Sequence, residues 1–131
     1  MFSRFMTFLL TFLLITPSSQ TIKFKTTIGR VSYILDTVTK TASINRVYVY
    51  WPEDTKVILP IFIKYVDVFF KVTDIDNDAF KNYVSLDISE INVPKTIKKT
   101  EENKNEYLKI FKGLSEKNKA EIIDFFSENG V

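Results

Sequence analysis

The chain contains no cysteine and no histidine among its 131 residues. Without cysteine it forms no disulfide and has no thiolate nucleophile. Without histidine it lacks the usual histidine metal sites and any Ser–His catalytic triad. Its three glycines, Gly29, Gly113 and Gly130, lie too far apart to form a phosphate-binding loop. These absences exclude much of enzyme chemistry, and we expect no cofactor.

Charge and glycosylation signals are also sparse. The formal net charge is only +2, which is too small to predict binding to nucleic acid or to an anionic membrane. No Asn-x-Ser/Thr triplet occurs, so N-glycosylation by the usual rule is excluded. What the chain does have is apolar material: 45% of its residues are hydrophobic, with 12 Phe and 6 Tyr. That is enough for the packed core of one small domain.

The first twenty residues, "MFSRFMTFLLTFLLITPSSQ", have the layout of a secretory signal peptide. One basic residue, Arg4, precedes an apolar run of about 11 residues, whereas a spanning helix needs about 20. Thr16 and Ser18 are the small residues expected before a cleavage site. The pattern predicts a signal peptide over residues 1–18 and a secreted or cell-surface protein with no membrane span after cleavage. An uncleaved membrane anchor is the alternative.

Residues 19–100 are predicted to form a β-rich module, because apolar and polar residues alternate with a period of two. The string "TIKFKTTI" places one set of side chains on a half-buried face: Ile22, Phe24, Thr26 and Ile28. Two further strands, "VSYIL" and "TASINRVYVY", are separated by "DTVTK", which is typical of a hairpin turn.

Three aromatic residues, Tyr48, Tyr50 and Trp51, form the candidate binding patch of this sequence. Tyrosine and tryptophan are enriched in the energetically dominant parts of interfaces, so the cluster is compatible with recognition of a partner. The alternative is purely structural, with Tyr48 and Tyr50 on one strand face and Trp51 covering the end of a hairpin.

Alternating aspartates, Asp74, Asp76 and Asp78, occupy the positions of the first ligands of a calcium loop. Such a loop also needs a glycine next and a bidentate glutamate at its end, where this chain has Ala79 and Ser85. We therefore predict no metal site. The aspartates are expected to decorate a solvent-facing turn, since Asp favours such corners, while Ile75 and Phe80 point inward.

An internal similarity links "VILPIFI" (57–63) and "INVPKTI" (91–97), which share aliphatic residues at the first, third and seventh places and proline at the fourth. Together with "YILDTVTKTASI", "KVTDIDNDAFKN" and "VSLDISEINVPKTI", these strings resemble the start of a BspA-type leucine-rich-repeat protein. The resemblance covers about Val31 to Thr100. It implies an opening hairpin, then a repeat corner with the pair Ala79 and Phe80, then the pair Ser85 and Leu86.

The sequence departs from the family pattern at several points. Asp76 replaces the corner glycine, Tyr83 stands where the family often has cysteine, and Asp67-Val68 replaces an Asp-Gly hairpin turn. The repeat pattern ends at Thr100 after about one unit, whereas a long concave recognition surface needs several. The family resemblance implies a non-enzymatic adhesion or surface-interaction protein.

Residues 101–131 are predicted to be helical. "TEENKNEYLKIFKG" has helix formers and a stop at Gly113, and a second helix from Glu116 to Ser127 follows Ser115 as its N-cap. Gly130 is a further helix-ending residue. We expect the second helix to dock on the β-region as a cap that buries Ile122, Ile123 and Phe126.

The sequence thus predicts an α+β fold: a β-hairpin-rich module, a short leucine-rich-repeat-like turn and C-terminal helices. The predicted function is secreted or surface-associated recognition, without catalysis, of an unidentified protein or cell-surface partner. Two alternatives remain open. The first is a small secreted effector or carboxylate-dependent hydrolase, which would use two acidic pairs: Asp74 with Asp76, and Glu53 with Asp54. The second is a truncated copy of a longer surface protein with no independent function.

Overall fold

The structure is a computed structural model that describes residues 22–48, 56–80 and 88–127. The predicted signal segment 1–18 lies outside these ranges. The described residues form an α+β fold with a curled five-stranded sheet, a small two-stranded sheet and two C-terminal helices, as the sequence predicts. The strands are β1 (Lys23–Ile28), β2 (Val31–Asp36), β3 (Thr41–Val47), β4 (Lys56–Val57), β5 (Phe62–Tyr65), β6 (Val68–Ile75) and β7 (Glu90–Ile91). The helices are α1 (Glu101–Leu108), a 3₁₀ turn (Phe111–Gly113) and α2 (Glu116–Ser127).

The first three strands form an antiparallel meander. Gly29, with φ of 64°, makes the first turn in a conformation that only glycine adopts freely. The predicted turn at "DTVTK" is confirmed: the Asp36 carboxylate accepts hydrogen bonds from the N–H groups of Val38 and Thr39. The predicted face of β1 is only partly correct, since Phe24 is half-buried whereas Ile22 is exposed.

Two parallel pairings relate distant parts of the chain. In the large sheet β3 lies beside β6, with Ile44 opposite Ile75. In the small sheet β4 lies beside β7, with Val57 opposite Ile91. Val57 and Ile91 are the first residues of the two strings that the sequence analysis matched, so the internal similarity corresponds to strands that lie side by side in register.

Strands β5 and β6 form a hairpin with a two-residue turn. This hairpin completes the large sheet, whose strand order is β1-β2-β3-β6-β5. The turn residues are Val66 and Asp67, with φ of 49° and 61°, one position earlier than the turn expected at Asp67-Val68. The sheet curls until its outer strands meet, where the rings of Phe24 and Tyr65 lie 5.2 Å apart between centroids.

One hydrophobic core contains residues of both sheets and of both helices. A chain of aromatic rings runs through it, from Phe80 to Tyr107 at 5.5 Å and from Tyr107 to Phe126 at 5.8 Å between centroids. The Tyr107 hydroxyl donates a hydrogen bond to the carbonyl of Asn92, and burial raises the pKa of this tyrosine. The predicted burial of Ile75 and Phe80 is confirmed.

The C-terminal helices correct two expectations. The first helix ends at Leu108, and the 3₁₀ turn rather than a continued α-helix leads to Gly113. The second helix has the predicted bounds and buries Ile122 and Phe126, but Ile123 remains 51% exposed. Neighbouring helix residues point about 100° apart, and Ile123 lies on the side of Ile122 that faces away from the core.

Candidate functional site

The predicted aromatic patch falls only partly within the described residues. Tyr48 is half-buried, and its N–H donates to the carbonyl of Arg30 at 2.8 Å. Tyr50 and Trp51 lie outside the described residues, as do Glu53 and Asp54 of the alternative acidic pairs. The candidate site residues that the structure describes are therefore Tyr48 and the aspartates Asp74, Asp76 and Asp78.

Asp74 lies within β6 and Asp76 directly follows that strand, so neither lies in a solvent-facing turn as predicted. Asp74 is half-buried and accepts hydrogen bonds from the Thr73 hydroxyl at 3.0 Å and from the Asn103 amide at 3.5 Å, and the Lys98 ammonium lies 3.5 Å away. Asp76 is half-buried and accepts a hydrogen bond from the Ser43 hydroxyl. Both side chains are therefore committed to contacts within the protein. Their position follows from the β3–β6 pairing, which shifts register between Ala42 and Ser43.

Asp78 is the aspartate that does lie in the exposed corner, with φ of 68°. Asp tolerates this left-handed conformation better than most residues. Its carboxylate lies 3.4 Å from the Lys109 ammonium of the segment after α1. Among the described residues, no group of three or more acidic side chains is arranged so that it could hold a metal ion.

A polar groove of about 590 Å³ lies on the outer face of the large sheet and brings Asp36, Asp74 and Asp76 to one surface. Two cations, Lys23 and Lys98, line it as well. The N–H groups of Thr39 and Val38 lower the pKa of Asp36, which favours its charged form. A carboxylate held in this form is poorly suited to act as a general acid near neutral pH.

The corner that carries Asp78 is held by Glu106, a buried glutamate of α1. The Glu106 carboxylate accepts hydrogen bonds from the N–H groups of Asp78 at 3.2 Å and of Phe80 at 3.3 Å. The Lys109 ammonium completes its neutralisation at 2.9 Å, and the same contact raises the pKa of Lys109. Glu106 is thus a structural clamp, because every one of these contacts positions backbone or balances charge within the fold.

Two buried asparagine side chains of the helices bond backbone groups of the parallel strands. The Asn103 side chain accepts from the N–H of Ile75 at 3.1 Å, at the edge of β6. The Asn118 side chain accepts from the N–H of Ile91 at 2.7 Å and donates to its carbonyl at 2.8 Å, at the edge of β7. On the other side of the small sheet, the Arg30 guanidinium donates to the carbonyl of Lys56 at 2.6 Å. An incoming strand would have to displace these side chains.

The sequence analysis missed these asparagines, although a signal for them is present. The strings "TEENKNEYL" (100–108) and "SEKNKAEII" (115–123) share a hydroxyl residue, a glutamate, an asparagine and a second glutamate at the same spacing. In both, the hydroxyl accepts from the N–H of the asparagine: Thr100 for Asn103 and Ser115 for Asn118. This confirms Ser115 as an N-cap and identifies the two helices as copies of one docking unit.

Within the described ranges, several exposed large apolar side chains lie close together on the β5–β6 hairpin. Phe62 is 52% exposed, Phe69 is 61% exposed and Val66 at the tip is 75% exposed. Lys64 lies over the ring of Phe69, 5.7 Å from its centroid, so cationic and aromatic side chains alternate on this face. Large exposed apolar patches mark interaction surfaces more often than singly scattered apolar residues do.

Among the described residues, no helix combines the length and the apolar composition needed to cross a membrane. Comparison of the chain with protein-family models, with curated proteins and with solved structures gave no match. The candidate site is therefore defined by geometry alone: a polar groove whose carboxylates are committed to protein contacts, and an aromatic hairpin whose side chains are exposed.

Proposed function

We propose that this chain is a secreted or surface-associated, non-enzymatic recognition protein of the BspA-type leucine-rich-repeat class. The observation that carries the proposal is the parallel pairing of β4 with β7, which places Val57 opposite Ile91, together with that of β3 with β6, which places Ile44 opposite Ile75. In a repeat architecture, each repeat places its strand beside the equivalent strand of the next repeat. Two parallel strand pairs, β4 with β7 and β3 with β6, agree with such an arrangement.

The recognition surface in this proposal is the β5–β6 hairpin. The edges of β6 and β7 are bonded by Asn103 and Asn118, and these bonds compete with a partner strand there. By contrast, Phe62 and Phe69 present aromatic surface to solvent. Aromatic side chains dominate the binding energy of many interfaces because they bury a large area at a small cost in conformational entropy.

An export and binding experiment tests this proposal. The full chain, with a C-terminal tag, is expressed in cells, and the exported form is purified and sequenced from its N-terminus. We expect the mature chain to begin near Ser19 and to bind cell surfaces saturably. The double variant Phe62→Ser, Phe69→Ser should lose this binding, whereas Ile123→Ser should keep it, since Ile123 is equally exposed on α2.

Retention of the chain inside the cell with Met1 intact would contradict the secreted assignment. Equal binding by the two variants would contradict the hairpin as the recognition surface. Each result is scored only for variants whose thermal unfolding matches that of the wild type.

The competing hydrolase hypothesis has one favourable observation, the convergence of Asp74 and Asp76 on a single groove. Their commitment to Lys98 and Ser43 argues against it, since a catalytic carboxylate needs access to substrate and a pKa matched to its task. A hydrolytic activity that disappears in both Asp74→Asn and Asp76→Asn, with folding unchanged, would replace recognition by catalysis as the function.

A further inference from the structure

The exposed apolar side chains of the hairpin do not lie on one flat face. Along β5 and β6, Phe62 and Phe69 lie on one face of the hairpin, and Tyr65 and Val68 lie on the other, because side chains alternate along a strand. Val66 extends from the tip between the two faces. All five are exposed, so the hairpin protrudes with apolar groups on both sides.

The start of β1 adds to the same end of the molecule. The ring of Phe24 contacts the ring of Tyr65, and Ile22, two residues earlier, is exposed. The hairpin end, as we call it, comprises the exposed residues of β1 and of the β5–β6 hairpin: Ile22, Phe62, Tyr65, Val66, Val68 and Phe69. Protruding apolar groups on several sides fit a medium that can surround them better than they fit a flat protein surface.

The charges around the hairpin end are mostly positive. Ranges 22–28 and 62–71 together contain four lysines and a single aspartate, although the net charge of the whole chain is only +2. The aspartate, Asp67, lies 3.7 Å from the Lys64 ammonium, which reduces its repulsion of an anionic surface. Lys25 and Lys71 are exposed, whereas Lys23, also exposed, lies opposite Asp36 and lines the polar groove. The local charge is therefore complementary to an anionic surface and opposes pairing with the same end of a second copy.

We propose that the hairpin end binds the headgroup region of an anionic lipid bilayer, with its apolar side chains inserted and its lysines at the phosphate level. Exposed aromatic and aliphatic groups flanked by lysines are the chemistry of interfacial membrane binding. The proposal rests on the proposed surface association and names its partner.

The position of the N-terminal segment agrees with this orientation. The apolar run predicted to enter a membrane ends at Ile15, and β1 begins at Lys23. The few residues between them span roughly 25 Å at full extension. A chain that is still attached to a bilayer by that run would therefore hold the hairpin end close to the bilayer surface.

Vesicle flotation tests the proposal with the full chain and with variants that share the same N-terminus. Vesicles of phosphatidylcholine alone are compared with vesicles that contain about one third phosphatidylserine. We expect stronger binding to the anionic vesicles. Lys64→Gln and Lys71→Gln should each weaken that binding about fivefold at low salt. The double variant Phe62→Ser, Phe69→Ser should weaken binding to vesicles by at least about tenfold.

The matched controls lie on α2, away from the hairpin end. Ile123→Ser removes an equally exposed apolar group, and Lys117→Gln removes an exposed lysine. Neither should change the binding. All variants are first compared by thermal unfolding, so that a loss of binding is scored only for a folded protein.

Three outcomes overturn the proposal. The first is equal binding of wild type and hairpin variants to anionic vesicles. The second is concentration-dependent self-association that requires Phe62 and Phe69 in the absence of lipid, which would make a second copy the occupant. The third is absence of vesicle binding combined with protease-sensitive binding to cells, which would identify a protein partner and leave the proposed recognition function intact.

Discussion

The two C-terminal helices dock by the same device but are secured differently. Both begin with a hydroxyl N-cap, and both place an asparagine on the edge of a strand. The second glutamate of the unit differs between the two helices. In α1 it is Glu106, which is buried and bonds the corner at Asp78, whereas in α2 it is Glu121, which is exposed. The shared residues therefore give both helices the same N-cap and the same asparagine contact, but they do not give the second glutamate the same burial or the same partners.

The difference arises in the corners that the helices meet. Ile75 and Ile91 are equivalent in the two units, because each donates its N–H to the asparagine of a helix. Three residues further along, the first unit has Asp78, whose N–H donates to Glu106, whereas the second unit has Pro94. Proline has no N–H to donate. Along the helices, Asp124 takes the place of Lys109, the cation that neutralises Glu106. With one of the two donors and the cation missing, burial of the Glu121 carboxylate would be costly.

Removal of α2 should have the largest effect, since this helix is secured mainly by burial. A chain that ends at Gly113 loses the buried Ile122 and Phe126, each of which contributes about 1.5–3 kcal/mol. It also frees the edge of β7. We expect unfolding or aggregation in thermal unfolding and light-scattering measurements, whereas Ile123→Ala should be nearly neutral. A monomeric shortened chain with an unchanged melting temperature would disprove the cap.

The shared asparagines should have nearly equal effects in the two units. Asn103→Ala and Asn118→Ala each leave a buried strand N–H without its acceptor, so each should lower the free energy of unfolding by about 1–3 kcal/mol. Urea denaturation measures both. A large loss for one variant and none for the other would refute the equivalence of the two docking units.

The two glutamates should separate the units. Glu106→Ala removes a buried acceptor of two backbone N–H groups and should cost about 1–3 kcal/mol. Glu121→Ala removes an exposed side chain and one hydrogen bond from the Asn118 amide, so it should change the free energy of unfolding by less than about 1 kcal/mol. Equal losses in urea denaturation would mean that the corner clamp of α1 is not specific to that unit.

The smallest expected effect comes from restoring a cation to α2. Asp124→Lys places a lysine three residues after Glu121, as Lys109 follows Glu106, and removes a like-charge neighbour. The gain should be about 0.2–0.5 kcal/mol at low salt and should decrease as salt is added. The reference is Asp124→Ala, which removes the repulsion alone. A gain no larger than that of the reference would exclude an ion pair between Glu121 and the introduced lysine.

Much of the fold could be predicted from local pattern. The alternation in 23–28, the turn after Asp36 and the helix from Glu116 to Ser127 follow from periodicity and capping, which act over a few residues. The turn at Val66 and Asp67 was placed one residue late, because a valine with positive φ runs against the local preference of a β-branched residue. The pairing of β5 with β6 imposes that conformation.

The candidate site was less predictable. Asp74, Asp76 and Asp78 look equivalent in the sequence, yet the structure gives them different partners: Lys98, Ser43 and Lys109. These partners come from other elements, so no spacing within the aspartate string specifies them. The exposure of Phe62 and Phe69 was equally hidden, since strongly apolar strands are usually taken to be buried.

The sequence by itself determined the classes of chemistry available, the α+β character and the positions of most turns and helices. These follow from composition and from interactions between near neighbours along the chain. Only the tertiary structure decided which strands lie in parallel register, which carboxylates are neutralised and which apolar side chains stay exposed. Those outcomes depend on contacts between residues far apart in the chain, and the energy of such contacts is set by burial and by partners that only the assembled fold supplies.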